Sequence, residues 1–154
     1  MKNVSKKEEG FTIIEVMIVL AIGALILVVV LVAIPQLQRN QRNQARQNVT
    51  SRVMTELSAY AGNNRGEFPE SDTELEDFVD RYLDGVSYED PLTGDPFEIE
   101  FGEAPSVDDG EMGYFTGSEC AGENVQVSPT AGNRQIALQV ELEPGDIFFC
   151  VDNQ

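Results

Sequence analysis

Glu15 is the one charged side chain in an otherwise apolar stretch from Phe11 to Ile34, FTIIEVMIVLAIGALILVVVLVAI. An ionised carboxylate inside hydrocarbon costs at least a few kcal/mol, so a carboxylate kept there is expected to have a function and a cationic partner. The chemistry that this residue offers is therefore charge pairing in an apolar setting.

A cation for Glu15 becomes available if the chain is cut nearby. Ten residues, MKNVSKKEEG, precede Phe11, and this short leader contains three lysines and ends in Gly10. Cleavage after Gly10 would free an α-amino group on Phe11 and make Glu15 the fifth residue of the shortened chain. The sequence thus predicts a new positive charge four residues before an isolated carboxylate.

The apolar stretch is long enough to cross a membrane, because about 20 residues at a rise of 1.5 Å each span the hydrocarbon core. Two other interpretations stay open. One is a secretory signal peptide cut near Ala33, although a signal peptide has a shorter apolar region. The other is a plain membrane anchor in which Glu15 is incidental. Three lysines precede the stretch and three arginines follow it, so the positive-inside count does not decide its orientation.

The leader, Gly10, Phe11, Glu15 and the apolar run together resemble a type IV prepilin, the precursor of filament subunits in type IV pili and type II secretion pseudopili. The resemblance implies that a membrane prepilin peptidase cuts between Gly10 and Phe11 and methylates the new N-terminus of Phe11. It also implies that Glu15 pairs with the N-terminal amine of a neighbouring subunit during assembly.

Charge is distributed unevenly along the chain, which has 10 basic and 27 acidic residues and a net charge of −17. Residues 36–65 hold five arginines and one glutamate, whereas residues 66–154 hold 23 acidic residues and two arginines. An acidic head repels phosphate backbones, so we expect no direct nucleic-acid binding by this region. Arg39, Arg42 and Arg46 share one helix face and are candidate filament contacts with acidic heads; the alternative is a solvated arginine face.

A polar helix is predicted to continue the apolar one through residues 35–62. Apolar side chains recur at helical spacing and indicate a stripe that faces a core: Val49, Val53, Leu57, Tyr60 and Ala61. Gly62 is the predicted end of the helix. Gly23 and Pro35 are predicted bend positions, and the resemblance implies that the helix unwinds between them in filaments; the alternative is a simple kink at the membrane edge.

The head, residues 63–154, is predicted to contain a second helix and a small sheet. Ser71 and Glu74 form a capping-box pattern ahead of an apolar periodicity that ends at Gly85. Period-two alternation then predicts strands around 97–101, 114–116, 136–142 and 147–151, with a turn at Pro144. The predicted class is α+β: a long N-terminal helix, membrane-spanning in its first half, packed against a small antiparallel sheet, as in pilins.

Cys120 and Cys150 are the only cysteines. Since the resemblance places the head outside the cytoplasm, we expect them to form a disulfide that bounds the loop 120–150. Closing a loop of this size contributes on the order of 3 to 4 kcal/mol in the chain-entropy model. The alternatives are two unpaired thiols or a metal pair.

The segment from Asp90 to Pro96, DPLTGDP, is rich in turn-forming residues. Its simplest interpretation is a structural turn. The alternative is a calcium loop built from Asp90, Asp95 and backbone carbonyls, because calcium prefers oxygen ligands and major pseudopilins have a calcium loop in a comparable region. Apart from calcium at this loop, we expect no cofactor.

The sequence contains no histidine, nucleophile elbow or phosphate-binding loop, so we expect no enzymatic activity.

The chain is predicted to have a leader (1–10), a transmembrane or filament-core helix (11–34), a helical continuation (35–62) and an acidic head (63–154). We expect a single-pass cytoplasmic membrane precursor that becomes a subunit of an extracellular pilus. Its partners would be pilin subunits, prepilin peptidase and the pilus assembly machinery. Adhesion, motility and DNA uptake all fit this function. The alternatives are a type II secretion pseudopilin and a monomeric, membrane-anchored acidic binding protein.

Overall fold

The computed structural model describes residues 10–106, 108–122, 124–127, 132 and 134–154. The leader residues 1–9 and parts of the predicted disulfide-bounded loop lie outside this range. The chain divides into two compact units at residues 38 and 39, and each unit is described by itself.

The first helix, α1, extends from Ile13 to Asn63, and Gly23 and Pro35 lie inside it. Neither residue ends the helix, so the predicted unwinding between them in filaments stays a prediction. In the first unit, every side chain from Phe11 to Ile34 is exposed. The helix contains an 18-residue window that is long and apolar enough to cross a membrane.

In the second unit, α1 buries one stripe of side chains against the head. The buried residues of the helix are Arg46, Thr50, Val53, Met54, Leu57 and Ala61. The stripe predicted from the sequence is confirmed, with Val49 and Tyr60 partly buried at its margins. The stripe also extends further towards the N-terminus than predicted, because two polar residues, Arg46 and Thr50, are fully buried.

The end of α1 differs slightly from the prediction. Gly62 lies inside the helix, and the chain leaves the helix only after Asn63. Arg65 and Gly66 then adopt positive φ angles of 63° and 83°, and the Gly66 amide donates a hydrogen bond to the carbonyl of Ala61. This left-handed pair, rather than Gly62, reverses the chain at the helix end.

The second helix, α2, extends from Asp72 to Tyr82 and begins as predicted. The Ser71 hydroxyl accepts a hydrogen bond from the Glu74 amide, and the Glu74 carboxylate accepts one from the Glu70 amide. Leu75 and Phe78 are buried on the inner face of this helix. The capping pattern in the sequence therefore located this helix correctly.

Six strands follow in the part of the chain that the structure describes: β1 (Glu98–Phe101), β2 (Glu111–Thr116), β3 (Ser118–Ala121), β4 (Asn124–Val127), β5 (Ile136–Leu142) and β6 (Ile147–Asp152). Strands β1, β2, β5 and β6 form one sheet in that order, and β3 pairs with β4. The α+β class is confirmed.

The sheet is mixed rather than wholly antiparallel, because β1 runs parallel to β2. At the ends of this pair, the Gly102 amide donates to the Tyr114 carbonyl and the Glu98 amide donates to the Gly110 carbonyl. Period-two alternation specifies the face that each side chain occupies but not the direction of the neighbouring strand. The expectation of a wholly antiparallel sheet was therefore wrong for this pair.

The hairpin of β3 and β4 was not predicted, and it covers the outer face of the sheet. Both of its strands contact β5. As a result, Ala137 and Gln139 of β5 are buried as well as the predicted inner-face residues of that strand. Strand β5 is thus covered on both faces, although its sequence alternates like a strand with one exposed face.

Gly113 in β2 lies where no side chain fits. A Cβ atom at this position would lie 2.5 Å from the Glu103 carbonyl oxygen and 2.7 Å from a ring atom of Phe115. The neighbouring loop and aromatic ring therefore close over the bare backbone of this residue.

We expect Gly113→Ala to lower the free energy of unfolding by roughly 1 to 3 kcal/mol, because the methyl group overpacks this contact. Gly62→Ala is the matched control, since a Cβ there meets nothing within 4 Å and the position is helical. That control should stabilise the chain by roughly 0.5 to 1 kcal/mol. Thermal unfolding followed by circular dichroism in detergent micelles measures both, and equal behaviour of the two variants would contradict the packing at Gly113.

Candidate processing and assembly site

Thr12 and Glu15 form a reciprocal cap at the start of α1. The Thr12 backbone amide and hydroxyl each donate to Oε2 of Glu15 over 2.8 Å, and the Glu15 amide donates to the Thr12 hydroxyl oxygen over 3.3 Å. This is the capping-box arrangement, in which the N-cap and third helical residues satisfy each other's amides. The carboxylate is thus held in the first helical turn, at the positive end of the helix dipole.

Only one oxygen of the Glu15 carboxylate takes part in this cap. Both Thr12 donors meet Oε2, and among the described residues no hydrogen bond reaches Oε1. A carboxylate oxygen has lone pairs for further donors. The cap can therefore hold Glu15 in place through Oε2 while Oε1 accepts a hydrogen bond from a cationic group outside the chain.

The peptide bond between Gly10 and Phe11 is accessible. Gly10 is exposed and Phe11 is 91% exposed, and a Cβ atom built on Gly10 would meet nothing within 4 Å. Beyond this bond, Val16, Val19 and Leu20 line a shallow, apolar groove together with Phe11 and Glu15. An accessible peptide bond, a capped carboxylate and an exposed apolar helix surface thus follow one another within the first unit.

A model of the prokaryotic N-terminal methylation motif matches residues 5–31. This motif is the signature of type IV prepilins, so the chain carries a prepilin-type N-terminus. No curated protein and no solved structure matches the chain.

The motif, which covers the N-terminal part of the chain alone, indicates a type IV pilin-like or pseudopilin-type substrate of prepilin peptidase. It also implies processing by the peptidase and assembly into pilus-like complexes. The apolar helix and the motif together fit a membrane-anchored precursor.

Two of the three arginines that were predicted to contact neighbouring subunits form ion pairs within their own head instead. Arg46 is fully buried and bonds to Asp90 through two nitrogens at 2.7 Å, and it also donates to the Glu141 carbonyl over 2.8 Å. Its side chain is therefore not available to another subunit, and the interface prediction was wrong for Arg46. Arg39 is exposed, and its role as a filament contact stays a prediction.

Arg42 is largely occupied within its own head as well. Its guanidinium forms a bidentate ion pair with the Glu143 carboxylate, in which Nη2 and Oε2 lie 2.7 Å apart. Next to it, the Asn43 side-chain amide bonds to both the amide and the carbonyl of Glu143, each over 2.9 Å. Arg42, Asn43 and Arg46 together form a polar clamp that attaches α1 to the end of β5. Sequence reasoning missed this clamp, because the partners of Arg42 and Asn43 are about 100 residues away along the chain.

The loop from Asp90 to Pro96 closes as a turn around the Asp90 carboxylate. Each oxygen of the buried Asp90 carboxylate faces a guanidinium nitrogen of Arg46, and each also accepts a backbone amide, from Leu92 or Thr93. Calcium requires six to eight oxygen ligands and would lie against a positive guanidinium here. These contacts count against the calcium interpretation of Asp90, and Asp95 is exposed in the same loop.

Cys120 and Cys150 form a disulfide, as the sequence predicted. The bond joins β3 of the hairpin to β6 at the edge of the sheet. The Asp152 carboxylate supports the same junction by accepting a hydrogen bond from the Cys120 amide over 2.9 Å. The hairpin is thus fixed to the outer face of the sheet at the end of the chain.

Two carboxyls of the head have shifted pKa values of opposite sign. Hydrogen bonds from Arg42 lower the pKa of Glu143, despite its partial burial. Burial raises the pKa of Glu100, and carboxylates around it raise that pKa further: Glu98, Glu103, Glu111 and Asp72. The two groups therefore contribute to the pH dependence of stability in opposite directions.

We expect Glu143→Gln to lower the midpoint of thermal unfolding at neutral pH and Glu100→Gln to raise it. Because the folded-state pKa of Glu143 is depressed, its stabilisation is present above the ordinary carboxyl pKa and is lost as the pH falls through the folded value. The folded-state pKa of Glu100 is raised instead, so its ionised form destabilises the fold. The gain in stability from Glu100→Gln therefore disappears as the pH falls through that raised pKa. Thermal melts of both variants and the wild type across acidic and neutral pH check this prediction, and shifts of the same sign would refute it.

Proposed function

We propose that this protein is a structural subunit of a type IV pilus-like extracellular filament. Prepilin peptidase cuts the precursor between Gly10 and Phe11 and methylates Phe11, and the subunit then assembles through its N-terminal helix. The observation that carries the proposal is the methylation motif over residues 5–31, because it coincides with an accessible Gly10–Phe11 bond and a wholly exposed apolar helix surface. An exposed apolar surface of this length is stable in lipid or against other helices, but not in water.

In this proposal, Glu15 guides each subunit into the filament. The Thr12 cap holds the carboxylate through Oε2, and Oε1 receives the α-amino group of Phe11 from a neighbouring subunit. Such a pair neutralises both charges in an apolar bundle, where an unpaired charge is costly. A subunit can therefore enter the bundle only where its Glu15 lies next to the free α-amino group of a processed neighbour.

The acidic head faces the surroundings of the filament in this proposal. Motility, adhesion and DNA uptake are the roles open to such a filament, and the head's charge disfavours direct contact with DNA backbones. A type II secretion pseudopilin carries the same N-terminal signature and is the second candidate. Isolation of long filaments from the cell surface supports the pilus, whereas short periplasm-spanning assemblies support the pseudopilin.

Mass spectrometry of protein sheared from the cell surface tests the processing step directly. We expect a chain that begins at Phe11 and carries the mass of one added methyl group. An intact start at Met1 would support a monomeric membrane-anchored binding protein instead. A start after Ala33 would indicate ordinary secretion, and either result would remove the filament proposal.

Substitution of Glu15 separates the role of its charge from its role as a helix cap. Glu15→Gln keeps an oxygen that can accept the Thr12 hydrogen bonds, whereas Glu15→Ala removes both the cap and the charge. We expect both variants to be cleaved after Gly10, and both to lose at least about tenfold in filament yield, because an unpaired amine in the apolar bundle costs more than about 1.4 kcal/mol. Yield is measured by immunoblotting of sheared fractions against whole cells. Normal yield from Glu15→Gln would show that the cap, and not the charge, is what assembly requires.

A further inference from the structure

We infer that the guanidinium of Arg46, rather than a bound metal ion, is the cation that organises the loop from Asp90 to Pro96, and that the folded head is therefore independent of calcium. This inference concerns the head alone and does not depend on filament assembly. It follows from how the loop's only buried carboxylate is occupied.

The loop is built around the Asp90 side chain. Its carboxylate accepts the amides of Leu92 and Thr93 over 3.3 Å each, and its backbone bonds to the Asp95 carbonyl and the Gly94 amide over 2.8 Å each. A carboxylate at the centre of a tight turn, with carbonyls close by, is the usual setting for a calcium ion. Here the charge that balances Asp90 comes from the protein itself.

Arg46 occupies the position from which a metal ion would have to approach Asp90. Both side chains have no exposed surface, and their two parallel hydrogen bonds of 2.7 Å have the fork geometry of a strong arginine–carboxylate pair. The remaining guanidinium nitrogen, Nη1, donates a hydrogen bond to the Glu141 carbonyl over 2.8 Å. The centroid of the Phe97 ring lies 5.9 Å from the guanidinium carbon. A divalent ion bound to these oxygens would have to displace the guanidinium and break both of its hydrogen bonds to Asp90.

The packing around the loop also fits an internal cation. Arg46 reaches Asp90 from α1, one helical turn from Arg42 and Asn43, which attach the same helix to Glu143. Gly110 lies against the loop, and a Cβ atom built on it would lie 3.5 Å from an Asp90 carboxylate oxygen. The loop is thus held from the helix and from the neighbouring β1–β2 connection without a further ligand.

The full chain in detergent micelles provides the test, with thermal unfolding followed by circular dichroism in millimolar calcium and in excess EGTA. We expect the wild-type midpoint to be the same in both. A calcium-organised loop would raise the midpoint by roughly 10 °C at calcium about a hundredfold above its Kd. A calcium-dependent rise in the wild type would therefore overturn the inference.

Two variants, one in the loop and one on α1, distinguish the two cations. Asp95→Asn removes the exposed carboxylate that a calcium loop would need, and we expect it to leave the midpoint unchanged with or without calcium. Arg46→Met leaves Asp90 buried without its partner, and we expect the midpoint to fall by about 10 °C or more in both conditions. Arg39→Met is the matched control, because Arg39 is an exposed arginine on the same helix.

Each result bears on the inference. If Arg46→Met fails to fold, the wild-type and Asp95→Asn comparisons in calcium and EGTA still decide the question. If Arg46→Met unfolds at the wild-type temperature, the guanidinium does not organise the loop, and the inference is wrong.

Discussion

The buried ion pair between Arg46 and Asp90 is the interaction on which the architecture of the head depends. It joins three parts of the chain, because Arg46 lies on α1, Asp90 opens the loop before β1 and the third guanidinium contact reaches β5. Two charges without exposed surface are costly to remove from water, and they are tolerated only where every hydrogen bond is made. A one-residue shift of the helix against the sheet would leave both charges unpaired, so the pair fixes how helix and sheet meet.

The apolar contacts of the head specify the register between helix and sheet far less strictly than this ion pair does. The stripe of α1 packs against the inner faces of β2 and β5, where Met112, Tyr114 and Leu138 are fully buried. Such contacts stabilise the fold in proportion to buried area, and they tolerate small changes in register. Tyr114 is an exception, since its hydroxyl donates to the Pro69 carbonyl over 2.8 Å and anchors the segment that precedes α2. Polar contacts therefore supply much of the specificity of this small core.

The sequence predicted features that depend on near neighbours along the chain. The capping box at Ser71 and the alternation in β5 are local patterns of this kind. The Thr12–Glu15 cap is also local, but it was not predicted, because the charge of Glu15 pointed to a partner outside the chain. The partners of Arg46 and Arg42 are 44 and 101 residues away, and no local pattern encodes such pairs.

The direction of β1 and the β3–β4 hairpin were missed because both depend on how distant segments pair. The calcium interpretation of the loop at Asp90 likewise rested on a local pattern. Turn composition indicates that a carboxylate organises the loop, but it does not reveal which cation balances that carboxylate once it is buried.

The charge separation that is evident along the sequence is partly cancelled inside the subunit. Arg42 and Arg46 are two of the five arginines in residues 36–65, and both pair with acids of their own head. Other acids of the head lie near one another: burial raises the pKa of Glu100, and the surrounding carboxylates raise that pKa further. Fewer arginines are therefore left to pair with acidic groups of another molecule than the sequence indicates.

The disulfide has a mechanical consequence for the C-terminal strand. Strand β6 lies at the edge of the described four-stranded sheet and pairs there with β5, so a pulling force on the chain end would ordinarily peel it away one hydrogen bond at a time. Cys150 lies in the middle of β6 and is bonded covalently to Cys120. Peeling must stop at that residue, and any further tension passes into the β3–β4 hairpin. The C-terminus can therefore carry a load that hydrogen bonds on an edge strand alone would not withstand.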